Sequence, residues 1–295
     1  ALSNAIRDFV MSGAELQGAA RERYAAIQAR TAEVAQQYSE HVLDANDGYS
    51  LTVTEAQLAG VPADVREAAQ AAAQAAGEAG FKLSLHMPCW MPVMQYAQDR
   101  SLREQLYRAY ITRASDQGPP ERDNTALMAE LLSLRREEAA LLGHASFAEL
   151  SLVPKMAESP AQVMAFLRDI AAHARRHAER DLAELREFAA QHLGLADLQP
   201  WDLYFASEKL KEARYAFSEQ AVKQYFTEPR VLDGLFRLIE TLFDVSIRAD
   251  SAPVWHDSVR FFRIERSLGA GLPPKLIGQF YLDPYARPGK RPGAW

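Results

Sequence analysis

The stretch SPAQVMAFLRDIAAHARRHAERDLAELREFAAQHLG, residues 159–194, decides the fold class. Ser159 stands as an N-cap, Pro160 takes the first helical position and Gln162 the third, a capping-box arrangement that starts a helix cleanly. Val163, Phe166, Leu167, Ile170, Ala174, Ala178, Leu185 and Phe188 then recur at helical spacing, and the run ends near Gly194. The spacing predicts one long helix with this stripe as its apolar face.

The same period spreads outward in both directions. Residues 16–43 carry Tyr24, Ile27, Val34 and Tyr38 at helical spacing. DVREAAQAAAQAAGEAG (64–80) is Ala-rich with a glycine stop expected at Gly80. SLREQLYRAYITRA (101–114) and TALMAELLSLRREEAALLG (125–143) follow, the second capped by Asp123 or Asn124 and closed by Gly143. Further helices are expected over 206–217 and 230–243. SDQGPPERD (115–123) cannot continue a helix through Gly118, Pro119 and Pro120, so it marks a boundary. No fixed-period repeat is present, which weighs against a solenoid.

The tail changes character. SVRFFRIE (258–265) and LIGQFYLD (276–283) are β-rich runs flanking the Gly/Pro turn SLGAGLPPK, and they read as an antiparallel hairpin. Phe261–Phe262 and Phe280–Tyr281 stand side by side, which predicts strands covered on both faces by helices. The expected fold class is mainly α, a multi-helix architecture with a small antiparallel β element near the C-terminus. The expected parts are a first helical part (1–117), a second after the GPP linker (118–250) and a β-rich part (251–295).

Among 295 residues, 48% are hydrophobic and 24% charged, ordinary for a globular chain with a sizeable core. The net charge of −6 implies no general attraction to nucleic acid or to an anionic membrane surface. No apolar run is long enough for a transmembrane helix, and no secretory signal opens the chain. Cys89 is the single cysteine, set among apolar neighbours in HMPCWMPVM; it reads as a small buried residue, and a reducing setting is expected. The chain starts ALSNAIRDFV, without Met, and stops on Trp295 within a motif-like run, so a central piece of a longer protein is expected.

Within the deciding stretch, His173, His177 and Asp181 are potential metal ligands one helical turn apart. A hydrolytic HExxH needs a Glu directly after the first His to act as general base, and that position is Ala174. Arg175, Arg176 and Arg180 surround the pair and disfavour a dication. The expectation is therefore a solvated helix face with a His177–Asp181 pair. No phosphate-binding glycine loop, dinucleotide fingerprint or G-x-S-x-G elbow occurs. The basic run RPGKR (287–291) reads as a turn able to contact an anion, and the aromatics of WDLYF (201–205) and KQYF (223–226) as core and helix-end packing.

Several segments in order carry a resemblance: 113–143, KMAESPAQVMAFLRDIA (155–171), LQPWDLYFASEKL (198–210), VKQYFTEPRVLDGLFRLIETLF (222–243), VWHDSVRFFRIE (254–265) and IGQFYLDPYARPGKRPGAW (277–295). Together the chain, from about Ile6 to Trp295, resembles the thimet oligopeptidase family of zinc metallopeptidases, and the last segment is the most specific. The resemblance implies an elongated multi-helix metallopeptidase fold of two helical lobes around a channel, zinc at its floor and internal cleavage of short peptides. It also implies that the HExxH helix, the third zinc ligand and the transition-state donors follow the point where Trp295 stands. None of the histidines at 41, 86, 144, 173, 177, 192 and 256 opens an H-E-x-x-H, so no catalytic residue or metal ligand is assigned in this chain. Zinc is then a cofactor of the whole parent, and the partners are short peptides and the remaining N- and C-terminal parts of the same protein. In the family the strand after the YLD segment resembles an edge beside the zinc site, which maps a substrate-binding role onto Gly293, Ala294 and Trp295. The alternative function is a helical module that captures extended peptides without cutting them.

Overall fold

Ser159 caps its helix as expected: its side chain accepts from the Gln162 amide at 3.2 Å, and Pro160–His192 forms a single helix, α8. Gln162 returns the contact one residue earlier than a capping box, accepting from the Glu158 amide. The computed structural model describes residues 2–216, 218–269 and 272–291. Among them the chain is mainly α-helical, with two small antiparallel sheets. It divides into two compact units, Ala1–Leu210 and Lys211–Trp295.

The first unit holds α1 (Leu2–Met11), α2 (Gly18–Asp47), β1 (Leu51–Val53), α3 (Ala63–Ala75), β2 (Phe81–Leu83), α4 (Met87–Tyr96), α5 (Arg100–Ile111), α6 (Thr125–Leu141), α7 (Phe147–Leu152) and α8; α9 (Leu203–Tyr215) spans the division. Helix α2 buries only Ile27 and Val34, one heptad apart, and α6 answers with Leu127 and Leu134 at the same interval. Arg23 binds Glu137 and Arg30 binds Glu130, both bidentate, so the two helices run antiparallel with their charged flanks in register. Asn124 is the formal cap of α6, but its side chain is spent on His41 and on the Tyr38 carbonyl. Asp123 takes the Thr125 amide instead.

The main core gathers α3, the β1–β2 pair, α4 and α5 around Leu83, Trp90, Val93, Met94 and Leu106. Trp90 stacks on Tyr110 at 4.2 Å and donates its indole N–H to the Leu106 carbonyl. The Ala-rich helix α3 stops at Gly77 rather than Gly80: Glu78 N–H reaches the Ala73 carbonyl and Gly77 N–H that of Gln74, a Schellman closure at φ +71°. Gly80 serves the sheet instead, because at φ +100° a Cβ there would lie 2.7 Å from the Val53 carbonyl oxygen.

A buried ion pair joins α5 to the turn that opens α9. Asp202 and Arg103 are essentially solvent-free, at 0% and 1% exposure, and meet at 2.8 Å. Arg100 donates to the other carboxylate oxygen at 2.8 Å, and the Gln199 amide adds a further bond at 3.1 Å. Arg103 also lies 4.2 Å over the Phe205 ring and donates to the Ala97 carbonyl. Burial alone would raise the Asp202 carboxyl, but the two guanidiniums and the amide outweigh it and hold the group below the usual carboxylate range.

One packing expectation is corrected, that for KQYF, and the apolar face of α8 is only partly covered. The stripe on α8 is buried only toward its end, at Leu185 and Ala189 against Ala206; Phe166, Leu167 and Ile170 are 62%, 52% and 48% exposed. In KQYF, Tyr225 and Phe226 face solvent, because the short helix α10 (Glu219–Lys223) ends just before them.

Asp202→Asn leaves Arg103 buried without its counter-charge, so chemical denaturation should show the first unit destabilised by about 3–5 kcal/mol. Because the folded carboxyl sits below its unfolded value of about 3.9, its stabilisation is fully present above roughly pH 4 and drains as pH falls through the folded value. A wild-type loss on acidification that Asp202→Asn lacks is the measurement.

Candidate substrate-strand site

The second unit packs α11 (Glu228–Phe243) on a sheet of β3 (Ser246–Asp250), β4 (Arg260–Arg266) and β5 (Lys275–Leu282), ordered β3-β4-β5 and antiparallel throughout. Strand register pairs Phe262 with Phe280 and Phe261 with Tyr281. Successive strand residues point to opposite faces, so each aromatic doublet is split. Phe262 and Phe280 stack 5.3 Å apart under Phe236 of α11, which meets them edge-on at 5.0 and 6.2 Å. Phe261 and Tyr281 face the other way, 4.6 Å apart, with Trp255 at 4.9 Å from Tyr281. That outer face is not covered by a helix among the described residues: Trp255 is 60% and Tyr281 42% exposed. The expectation of helices on both faces is corrected; the doublets reflect a sheet with one helix-packed face and one aromatic open face.

Strand β5 is an edge. Among the described residues its outer side pairs with no strand, which leaves a row of backbone donors and acceptors able to receive an extended chain. Asp283 follows its last residue, and Pro284 ends the strand geometry. The Asp283 carboxylate gathers three side chains: Arg287 through both terminal nitrogens at 2.7 and 2.8 Å, Trp255 through its indole N–H at 3.2 Å, and Lys290 at 3.1 Å. Lys290 Nζ also donates to the carbonyls of Asp283 and Tyr285. Tyr285 hydrogen-bonds Glu228 at the start of α11, and Glu228 in turn accepts from Arg260 at the start of β4. Hydrogen bonding to Arg287, with further help from Lys290 and Trp255, holds the Asp283 carboxyl well below the carboxylate range against a smaller opposing effect of burial. The bond to Glu228 raises the Tyr285 phenol.

The basic run 287–291 is therefore a turn whose Arg287 and Lys290 are engaged inside the chain, Gly289 supplying φ +76°. The run is the expected turn, and within it Arg287 and Lys290 are engaged by the Asp283 carboxylate. The residues assigned to the substrate strand, Gly293, Ala294 and Trp295, lie outside the described residues. Sequence reading missed Asp283 and Trp255; the only local signal was an acid four residues before an arginine, and Trp255 comes from 28 residues away.

HARRH is an exposed face. His173 Nδ1 binds the Asp169 carbonyl at 2.8 Å, Arg175 pairs Glu179, and Asp181 accepts from Arg180 at 3.0 Å. The expected His177–Asp181 pair is not formed, because the adjacent arginine takes the carboxylate. Among the described residues no three His, Cys, Asp or Glu side chains are placed to hold a metal ion, so the groups present do not fit a zinc site. Cys89 sits half-buried against the main core, its thiol pushed up by burial.

The family model described as "Peptidase family M3" matches residues 93–295. Oligopeptidase A of Escherichia coli (strain K12) is 44% identical over 100% of this chain and 43% of its own length. The organellar oligopeptidase A of Arabidopsis thaliana is 39% identical over 98% of this chain and 37% of its length. Dipeptidyl carboxypeptidase of E. coli is 30% identical over 97% and 42%. The chain thus spans less than half the length of these curated relatives.

Calorimetric titration with zinc should give the same weak, nonspecific heats for the wild-type chain and for a His173→Ala, His177→Ala double variant. Submicromolar binding abolished by the substitutions would restore HARRH as a metal site.

Proposed function

This chain belongs to peptidase family M3, and from that membership we propose that it supplies channel-wall and substrate-strand elements of a zinc-dependent oligopeptidase that hydrolyses internal bonds of short peptides. The catalytic centre lies outside these residues: zinc, its ligands and the general base belong to the parts of such an enzyme that this chain does not contain. Its partners are short peptide substrates and those remaining parts of the same protein, and the setting is cytoplasmic. Gly293, Ala294 and Trp295 continue the chain beyond the Asp283 turn and receive the extended peptide by backbone pairing.

The family match over residues 93–295, which includes the edge strand and its turn, carries this reading. Apolar stripes left in the open support it. On α11, Val231, Leu235, Leu238 and Leu242 line up on one side and are 46–66% exposed. On α1, Leu2, Ile6 and Phe9 do the same at 55–76%. Surfaces of this kind mark contacts with further protein, and they weigh against the alternative of a self-sufficient peptide-binding module, which would close them with polar residues. No helix among the described residues is long and apolar enough to cross a membrane.

Purified chain with added zinc should not cleave short fluorogenic peptides, and it should bind a hydrophobic dye through the open stripes. Zinc-dependent, chelator-sensitive turnover would place the chemistry inside these residues and overturn the reading.

A further inference from the structure

We propose that the open face of the β3-β4-β5 sheet binds extended peptides and selects an acidic side chain two residues from an aromatic one. Phe261, Tyr281 and Trp255 receive the ring, and Arg248 and Arg263 receive the carboxylate. The inference rests on short peptides being the ligands, as read above, and adds the chemistry by which one is chosen.

Strand register sets the two halves side by side. Asp250, Phe261 and Tyr281 stand opposite one another across the three strands; one step along, on the same face, stand Arg248, Arg263 and Gln279. The two rows are two residues apart along each strand, roughly 7 Å, which is also the spacing of alternate side chains in an extended peptide. The aromatic row is held by its polar ends. Trp255 donates its indole N–H to Asp283 and Tyr281 its hydroxyl to the Pro253 carbonyl, both at 3.2 Å. Rings fixed in this way lose little further freedom when a ligand settles on them.

The cationic row is unfavourable for the sheet by itself. Arg248 and Arg263 are directly opposite, and like charges so placed destabilise a strand pair. Among the described residues Arg248 has no hydrogen-bond or ion-pair partner, and Arg263 Nε has no hydrogen-bond partner, with Glu265 standing 3.5 Å away. Asp250, on the same face, accepts from the Ser251 amide at 2.9 Å and from Gln279 at 3.4 Å rather than from either arginine. Lys and Arg also outnumber Asp and Glu within Lys211–Trp295, although the whole chain carries a net charge of −6. A carboxylate laid between Arg248 and Arg263 replaces their repulsion with two attractions, whereas a lysine there adds a third positive charge.

The test uses the whole chain and two fluorescein-labelled hexapeptides, Ala-Ala-Phe-Ala-Glu-Ala and its Gln counterpart. Affinity is read by anisotropy, folding by thermal unfolding and assembly by sedimentation. The wild-type chain should bind the Glu peptide about tenfold more tightly than the Gln peptide, and by a smaller margin in high salt. Arg248→Gln and Arg263→Gln should each remove most of that margin without weakening the Gln peptide, and Arg248→Lys should keep part of it. Trp255→Ala should weaken both peptides alike. Because Arg248→Gln also removes a like-charge pair, its unfolding temperature should hold or rise, which separates lost binding from lost folding. Equal affinity for the two peptides, or a margin that survives in the Arg248→Gln, Arg263→Gln double variant, overturns the selection and leaves short peptides as the ligands. Binding of neither peptide overturns short peptides as the ligands, and the selection with them. A wild-type dimer that Arg248→Glu dissociates gives the face to a second copy of the chain and likewise overturns the proposal.

Discussion

The first unit depends on one carboxylate. Asp202 has no access to water, and neither has Arg103, so each ion is tolerable only while the other stays in place. A pair of this kind returns in attraction roughly what it loses in desolvation, and its net contribution to stability is small. Its effect is on choice: any rotation of α9 or slide of α5 that separates the two strands a charge in the core. Arg103 adds its contact with the Phe205 ring, and nearby Tyr96 on α4 donates to the buried Glu208 on α9, so α4, α5 and α9 are fixed by polar bonds running through an apolar interior. The packing of Trp90 against Tyr110 and Tyr204 follows from the same arrangement.

What could be read from the amino-acid sequence was the part governed by local chemistry. Ser159, Gly143 and Gly194 mark helix ends because capping and left-handed geometry need only neighbours along the chain. The hairpin of β4 and β5 was legible for the same reason. Helix α4 was not: HMPCWMPVM carries Pro88 and Pro92, and a proline inside a helix forfeits a hydrogen bond. Burial of Trp90, Val93 and Met94 outweighs that loss, and this is a tertiary term with no local trace. The pairing of Leu51–Val53 with Phe81–Leu83 was equally invisible, since α3 lies between two strands too short to show alternation. The apolar stripe of α8 was legible as a pattern, but how little of it is covered was not; spacing reports which residues share a face and says nothing about what meets it.

The candidate site divides along the same line. The adjacency of aromatics in FF and FY was plain, yet it could be turned into two faces only once the β4–β5 register was known. Asp283 looked like one acid in a basic turn, because three of its bonds come from side chains whose approach depends on the sheet being folded. His173, His177 and Asp181 show how little spacing alone decides. Their spacing suited a metal, but His173 is turned to the Asp169 carbonyl and Asp181 to Arg180.

Cys89 has a practical consequence. It is the single thiol of the chain, lodged against the main core with Ser84 N–H directed at its sulfur, and burial raises it so that little thiolate forms near neutral pH. Thiol reagents act through the thiolate, so Cys89 is a disfavoured target for them. A cysteine introduced at an exposed position such as Met156 would therefore react ahead of Cys89, which favours setting a spin label or fluorophore there without first removing a residue from the core.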